Sequence, residues 1–155
     1  NDFTCISVGC RDCRCEVARD RFNQIDYVVQ RDRIKSVYEI WRPSSILCEL
    51  NSIGEPNFEM LQRDGLPVSG FQTTGITKPP LIENLALALE RAEWQFQQDN
   101  VWTMELEAYE RIVSPTTGRS SYSAPDGGHD DTVIARALML QQARRPPPAS
   151  LVDFA

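Results

Sequence analysis

Alternating apolar and polar residues at the start of the chain predict a β-hairpin. Residues 3–9 and 13–21 both have the period of two that is typical of half-buried strands, and Arg11-Asp12 lies between them as a turn. A helix from about residue 24 to 41 follows, because its apolar positions recur at the spacing of one helical face: Ile34, Val37, Tyr38 and Trp41. Pro43 ends this helix, since proline has no backbone N–H with which to continue it.

Short apolar runs in the middle of the chain predict further strands separated by a helix. Residues 45–50 form an apolar run bounded by turn residues, which suits a central parallel strand covered on both faces. We expect a turn at 51–54, then a helix that ends near Gly65, and another short strand at 66–71. Residues 73–78 are expected to form a loop.

The second half of the chain has a mainly helical pattern. Pro79-Pro80 opens a helix that continues to about Trp94, because proline is well tolerated in a first helical turn. Residues 102–113 form one more amphipathic segment, and a turn leads from it to a short strand at 120–123. The last helix is expected from about residue 130 to 144.

This order of elements predicts the fold class. A hairpin followed by alternating strands and helices favours an α/β fold with a mixed β-sheet and helices on both faces. We expect one domain over residues 1–145 and a proline-rich carboxyl-terminal tail over residues 146–155. In sheets of this kind, functional sites tend to lie beyond the carboxyl ends of the strands.

Composition and charge narrow the functional classes. The chain has 155 residues, of which 41% are hydrophobic and 25% charged, as in ordinary globular domains. No apolar run approaches the roughly 18–20 residues of a membrane-spanning helix, so we expect no membrane partner.

The net charge of −6 argues at face value against nucleic-acid binding. However, residues 43–131 carry 5 basic and 14 acidic side chains, so the acidity is concentrated in a segment where bound cations would offset it.

Three of the five cysteines are crowded into the first hairpin as Cys10-x-x-Cys13-x-Cys15. A structural zinc site usually takes four ligands in two spaced pairs, but a second pair is absent and His129 is the only histidine. We therefore favour reduced thiols on either side of a turn, in a reducing compartment, over a metal clip.

Acidic residues stand at the ends of two predicted elements. Glu49 closes an apolar strand, where a carboxylate must be paired, protonated, solvated or bound to a metal. Asp130 and Asp131 open the last helix, where acids also serve as caps and complement the helix dipole. If strand and helix are neighbours, the three carboxylates converge and require a cation. Hard cations such as Mg²⁺ prefer oxygen ligands, and a pair of them supports phosphodiester cleavage.

Four motifs follow one another in order along the chain. They are Glu-Leu-Asn-Ser-Ile-Gly at 49–54, Thr-Thr-Gly-Ile-Thr-Lys at 73–78 with Leu-Ile-Glu-Asn-Leu at 81–85, Glu-Leu-Glu at 105–107, and Ala-Pro-Asp-Gly-Gly-His-Asp-Asp-Thr-Val-Ile-Ala at 124–135. Together they resemble the C-terminal nuclease domain of the large terminase subunit of tailed phages, which has an RNase H-like fold. The resemblance covers nearly the whole chain.

The resemblance implies a metal-dependent endonuclease that cuts concatemeric double-stranded DNA during genome packaging. By motif match, Glu49, Asp130 and Asp131 would be catalytic metal ligands for Mg²⁺ or Mn²⁺, with two ions in the complete domain. Lys78 would contact the DNA backbone. The alternative is that Lys78 is an ordinary solvent-exposed lysine that precedes a helix opened by prolines. The implied partners are the terminase ATPase domain, the small terminase subunit and the portal protein, in the host cytoplasm.

One part of the family pattern is missing. The family's first metal aspartate lies on a first strand that would precede Asn1, so we expect the natural amino terminus to lie upstream and the sheet to lack that strand. The isolated chain would then bind metal weakly and cut poorly. The phosphate loop of the family's ATPase motor is also absent. Two other classes stay open: another RNase H-like nuclease, such as a junction resolvase, and a non-catalytic module that docks DNA or a packaging partner.

Overall fold

The first hairpin is formed as the alternating pattern predicts. A computed structural model describes residues 3–118, 120–125 and 127–145. Within it, strands β1 (Thr4–Cys10) and β2 (Cys15–Phe22) pair antiparallel, with an irregularity between Val8 and Gly9. Helix α1 (Tyr27–Trp41) begins slightly later than predicted, because the Asp26 carboxylate caps it by accepting a hydrogen bond of 2.7 Å from the Val28 N–H.

A parallel pair of strands lies at the centre of the chain. Strand β3 (Ile46–Glu49) pairs in parallel with β4 (Val68–Phe71), which confirms both predicted strands. The predicted turn at 51–54 is wrong, since Leu50–Ile53 forms a helical turn, α2, directly before helix α3 (Glu55–Arg63). Gly54 divides the two helices because it adopts a positive φ of 74°, which glycine tolerates without a steric cost.

The remaining elements differ from the prediction in one segment. Helix α4 (Lys78–Glu90) has its prolines in the first turn and ends before Trp94. The amphipathic segment predicted at 102–113 is a helix in its first half alone, because α5 (Asn100–Glu107) is followed by strand β5 (Glu110–Val113). Strand β5 pairs antiparallel with β6 (Ser120–Ser123), whose ladder satisfies the exposed backbone of β5. Helix α6 (Asp131–Arg144) agrees with the prediction.

The buried core is built mainly by α4 and α6, with β3 and β4 packed against it. Leu47 and Phe71 bring one side chain from each of these strands to the cluster. Its largest fully buried side chains are Leu81 and Leu85 of α4 and Val133 and Leu140 of α6. None of the described helices is both long and apolar enough to span a bilayer.

A gap separates the first hairpin from the parallel pair. Strands β1 and β3 border a cavity of about 320 Å³, which side chains of α1 and α6 also line. Among the described strands, β1 pairs with β2 alone and β3 with β4 alone. The α/β class is therefore confirmed, but its strands form three two-stranded ladders instead of one continuous mixed sheet. The tail predicted at 146–155 lies outside the described residues.

Candidate metal centre

Glu49 lies at the carboxyl end of the parallel pair, as the sequence predicts. It is the last residue of β3 and stands opposite Phe71, the last residue of β4. The chain that leaves β4 brings Thr73 alongside, and the Thr73 hydroxyl donates a short hydrogen bond to Glu49 Oε1. The Asn51 side-chain amide holds the same loop by donating to the Thr73 carbonyl at 2.8 Å. The carboxylate is thus fixed at the strand edge by the loop that follows the neighbouring strand.

Asp130 pairs with Lys78 across 52 residues of sequence. The Lys78 Nζ lies 2.8 Å from Asp130 Oδ2, and the two side chains are 22% and 26% exposed. Asp130 occupies the N-cap position of α6, but its side chain makes no capping hydrogen bond. Its carboxylate is directed to the lysine at the start of α4 instead, which disfavours the simple capping interpretation. The pair is charge-assisted and partly shielded from solvent.

Tyr109 connects these two acids, although no motif in the sequence points to it. Burial raises the pKa of the Tyr109 phenol, and the charges of Asp130 and Glu49 raise it further. Both carboxylates therefore lie close enough to act on one phenol. Lys78 Nζ is 5.7 Å from the centre of the same ring. No local sequence signal marks this tyrosine, because it follows α5 and reaches the site through the fold.

Asp131 has a different set of partners from those of Asp130. Its Oδ2 accepts a hydrogen bond of 3.3 Å from the Phe3 N–H and lies 3.6 Å from His129 Nδ1. Burial raises the pKa of the Asp131 carboxyl, the hydrogen bond from Phe3 opposes that change, and the charge of Glu105 adds to it. The aspartate thus links the first turn of α6 to the residue that precedes β1.

Glu105 holds the start of α6 in place. Its buried carboxylate accepts hydrogen bonds from the N–H of Thr132 at 2.8 Å and from the Thr132 hydroxyl. Arg21 Nη2 lies 3.7 Å from Glu105 Oε1, and the Arg21 guanidinium stacks 3.4 Å above the Phe3 ring. Helix α5 therefore supplies the N-terminal cap that Asp130 does not provide. The sequence marked Glu105 as part of a motif without indicating this role.

Glu49, Asp130 and Asp131 do not by themselves form a complete metal site in the described part of the chain. Within the described residues, no group of three or more His, Cys, Asp or Glu side chains is arranged to hold a metal ion. Glu49 and Asp130 offer hard oxygen donors around Tyr109, and this donor type fits Mg²⁺ or Mn²⁺. Glu49 and Asp131 both line the cavity between β1 and β3.

Comparison with known proteins finds similar structures but no similar sequence family. No family model matches the chain, and no curated protein matches it by sequence. Among solved structures, the large terminase nuclease from the thermophilic phage G20c aligns with a TM-score of 0.81 and 25% identity, over 91% of this chain and 75% of its own. The same nuclease with bound magnesium aligns equally well. The large terminase nuclease domain of Thermus phage P74-26 aligns with a TM-score of 0.80 and 24% identity, over 92% of this chain and 73% of its own. These alignments confirm the predicted RNase H-like α/β fold.

Proposed function

We propose that this chain, which has the fold of phage large terminase nuclease domains, is the metal-dependent endonuclease part of such a subunit. The observation that carries the proposal is the position of Glu49 at the end of β3 and of Asp130 and Asp131 at the start of α6, in a fold shared with a nuclease that has been solved with bound magnesium. Its substrate would be double-stranded phage DNA, cut during genome packaging. The terminase ATPase domain, the small terminase subunit and the portal protein would be its partners, in the host cytoplasm.

In this proposal, Glu49, Asp130 and Asp131 hold Mg²⁺ or Mn²⁺, with two ions in the complete domain. When bound, the cation activates water and neutralises the charge that develops on the phosphate. Lys78 forms an ion pair with Asp130 in the metal-free chain and therefore opposes cation binding there. Once a cation neutralises Asp130, the ammonium group becomes available to the DNA backbone. The acidic net charge is compatible with DNA binding when bound cations offset part of it.

We also propose that one further strand completes the sheet in the cavity between β1 and β3. Each of these strands has one edge paired within its own ladder, and both border the cavity of about 320 Å³. A free strand edge presents unpaired N–H and C=O groups, which an inserted strand would satisfy. Because Glu49 and Asp131 line this cavity, an aspartate on the inserted strand would supply the additional metal ligand.

Metal binding by the chain itself is tested by thermal unfolding with increasing Mn²⁺. At a free concentration ten times the dissociation constant, a cation specific to the folded state adds about 1.4 kcal/mol to stability. For a domain of this size that raises Tm by about 3–6 °C. We expect Glu49→Gln and Asp130→Asn to lose this shift, and Glu107→Gln, an exposed acid on α5, to keep it. Equal shifts in all four proteins would contradict the assignment of Glu49 and Asp130 as ligands, and no shift in the parent would favour a non-catalytic docking module.

A Lys78 variant provides a second test, in which metal binding is expected to become tighter instead of weaker. Lys78→Met removes the ammonium group that competes for Asp130, so the chain alone should bind Mn²⁺ more tightly than the parent. In the completed domain, the same variant should bind DNA more weakly, because one phosphate contact is removed. Unchanged metal and DNA affinities would show that Lys78 belongs to neither function.

Cleavage is tested with the chain extended at its amino end by the proposed strand. Supercoiled plasmid with Mn²⁺ should be nicked and linearised by the extended protein, and Glu49→Ala or Asp130→Ala should abolish cleavage. A strong preference for four-way junctions over linear duplex would instead indicate a junction resolvase. If the extended protein cuts neither substrate, the nuclease proposal fails.

A further inference from the structure

The tip of the first hairpin brings two thiols together outside the candidate metal centre. Cys10 ends β1, and Cys13 lies in the loop that leads to β2. The backbone N–H of Cys13 donates a hydrogen bond of 3.3 Å to the sulfur of Cys10. The Cys10 sulfur therefore lies against the backbone of Cys13, three residues further along the chain. Cys13 is exposed and Cys10 is partly exposed, so small solutes can reach both.

The loop is held in this arrangement by contacts on its far side. Arg14 adopts a positive φ of 51°, and its carbonyl accepts a hydrogen bond of 2.9 Å from the Gln95 N–H. The Gln95 carbonyl in turn accepts from the Glu16 N–H at 2.8 Å. The exit of the loop, directly after Cys13, is thus fixed to the segment after α4.

We propose that Cys10 and Cys13 form an oxidisable dithiol whose substrate is a low-molecular-weight disulfide such as glutathione disulfide. The Cys10 thiolate attacks one sulfur of the disulfide, the S–S bond breaks, and one glutathione thiolate leaves. The Cys13 thiolate then attacks the Cys10 sulfur of the mixed disulfide and releases the second glutathione. Two cysteine thiols are oxidised by two electrons, and one glutathione disulfide is reduced to two glutathione thiols, which take up the two protons.

The order of the two steps follows from the surroundings of each sulfur. Hydrogen bonds from the Cys13 thiol and backbone lower the pKa of Cys10, whereas the hydrogen bond and charge of Cys10 raise that of Cys13 to about 11. Cys10 is therefore the attacking thiolate. When Cys10 becomes part of a mixed disulfide, it loses its charge, and Cys13 is then more easily deprotonated.

Two other cysteines serve as internal controls. Burial raises the pKa of Cys5 to about 12 and that of Cys48 to about 11, so both thiols should be unreactive in the folded chain. Cys15 is the stricter control, because it pairs with Cys10 across the hairpin and is also partly exposed. The proposal requires Cys13, and not Cys15, to resolve the mixed disulfide.

The experiment is intact-mass analysis of the reduced full chain during incubation with glutathione disulfide, followed by peptide mapping. We expect the parent and Cys15→Ser to lose two hydrogens and gain no lasting adduct, with Cys10 linked to Cys13. Cys13→Ser should retain one glutathione on Cys10, and Cys10→Ser should react about tenfold more slowly. A link from Cys15 to either partner, resolution of the adduct in Cys13→Ser at the parent rate, or equal consumption of Cys48 would overturn the proposal. None of these results depends on nuclease activity.

Discussion

Arg136 forms a deeply buried ion pair with Glu16, and its removal should be costly. The guanidinium group lies on α6 and makes three contacts of 2.9–3.1 Å with the Glu16 carboxylate. It also binds Asp99 Oδ2 at 3.1 Å and the Gln97 carbonyl at 3.0 Å, and it lies 4.4 Å from the centre of the Trp102 ring. One side chain therefore joins α6 to β2 and to the segment that starts α5.

The magnitude follows from what Arg136→Met leaves behind. The Glu16 side chain is 0% exposed, so without the guanidinium its charge stays buried and uncompensated. Breaking a buried ion pair by removing one partner typically costs about 3–5 kcal/mol. The Ser7 hydroxyl and the Gln97 N–H still donate to Glu16, at 2.6 and 3.0 Å, so we expect a destabilisation near the low end, about 3 kcal/mol. That corresponds to a decrease in Tm of about 6–12 °C.

The assay is urea unfolding followed by tryptophan fluorescence, with equal m-values required for the comparison. Arg144→Met is the matched control, because Arg144 lies on the same helix but pairs with Glu93 at the surface, with both side chains 37% exposed. It should be destabilised by less than about 1 kcal/mol. The double variant Arg136→Met/Glu16→Gln should recover much of the stability, because no buried charge remains. If Arg136→Met unfolds at the same urea concentration as Arg144→Met, the buried-charge argument is refuted.

Three further predictions concern the start of α6 and the packing of β1. Glu105→Ala should cost about 1–3 kcal/mol in urea unfolding, because the first turn of α6 loses its hydrogen-bond acceptor, whereas Glu107→Ala on the same helix should stay within about 0.5 kcal/mol. Burial raises the pKa of Asp131, so in chelator-treated buffer Asp131→Asn should melt above the parent at neutral pH, and the difference should close as the pH falls through the raised pKa; a constant difference would contradict this. Gly9→Ala should cost about 1–3 kcal/mol in the same unfolding assay, since its methyl group would meet the Met139 side chain, and a neutral result would show that Met139 moves aside.

The sequence predicted well those elements whose pattern of apolar residues matches the side chains that are buried in the structure. Helix α6 has apolar residues on a broad face and is largely buried, and the apolar and polar residues of β1 alternate over Ile6–Val8, within a strand that pairs with β2. The segment at 102–113 failed because Glu110–Val113 is fully exposed, so its apolar residues Ile112 and Val113 do not report burial. Such a strand is defined by its partner β6, and no pattern within the segment itself reveals that partner.

The positions of the candidate acids were predictable, and their partners were not. Glu49 ends a strand and Asp130 precedes a helix, as the sequence pattern indicates, and their role as metal ligands stays a prediction. The ion pair between Lys78 and Asp130 and the position of Tyr109 depend on how α4, α5 and α6 pack, which residue spacing does not encode. The cavity between β1 and β3 was also beyond pattern analysis, because it is defined by the relative placement of two ladders.

Without metal, the three candidate carboxylates are stabilised by separate interactions. Each acid is stabilised by a separate group: Thr73 for Glu49, Lys78 for Asp130, and the Phe3 N–H for Asp131. Bringing the three carboxylates onto one cation means giving up these interactions, and the like charges repel until the cation is present. If a further strand completes the sheet as proposed, the exchange is favourable when a ligand on that strand strengthens cation binding by more than the three original interactions contribute. Metal affinity and completion of the sheet should therefore be coupled, so that Mn²⁺ binds more tightly when the strand is present and the strand docks more tightly when Mn²⁺ is bound.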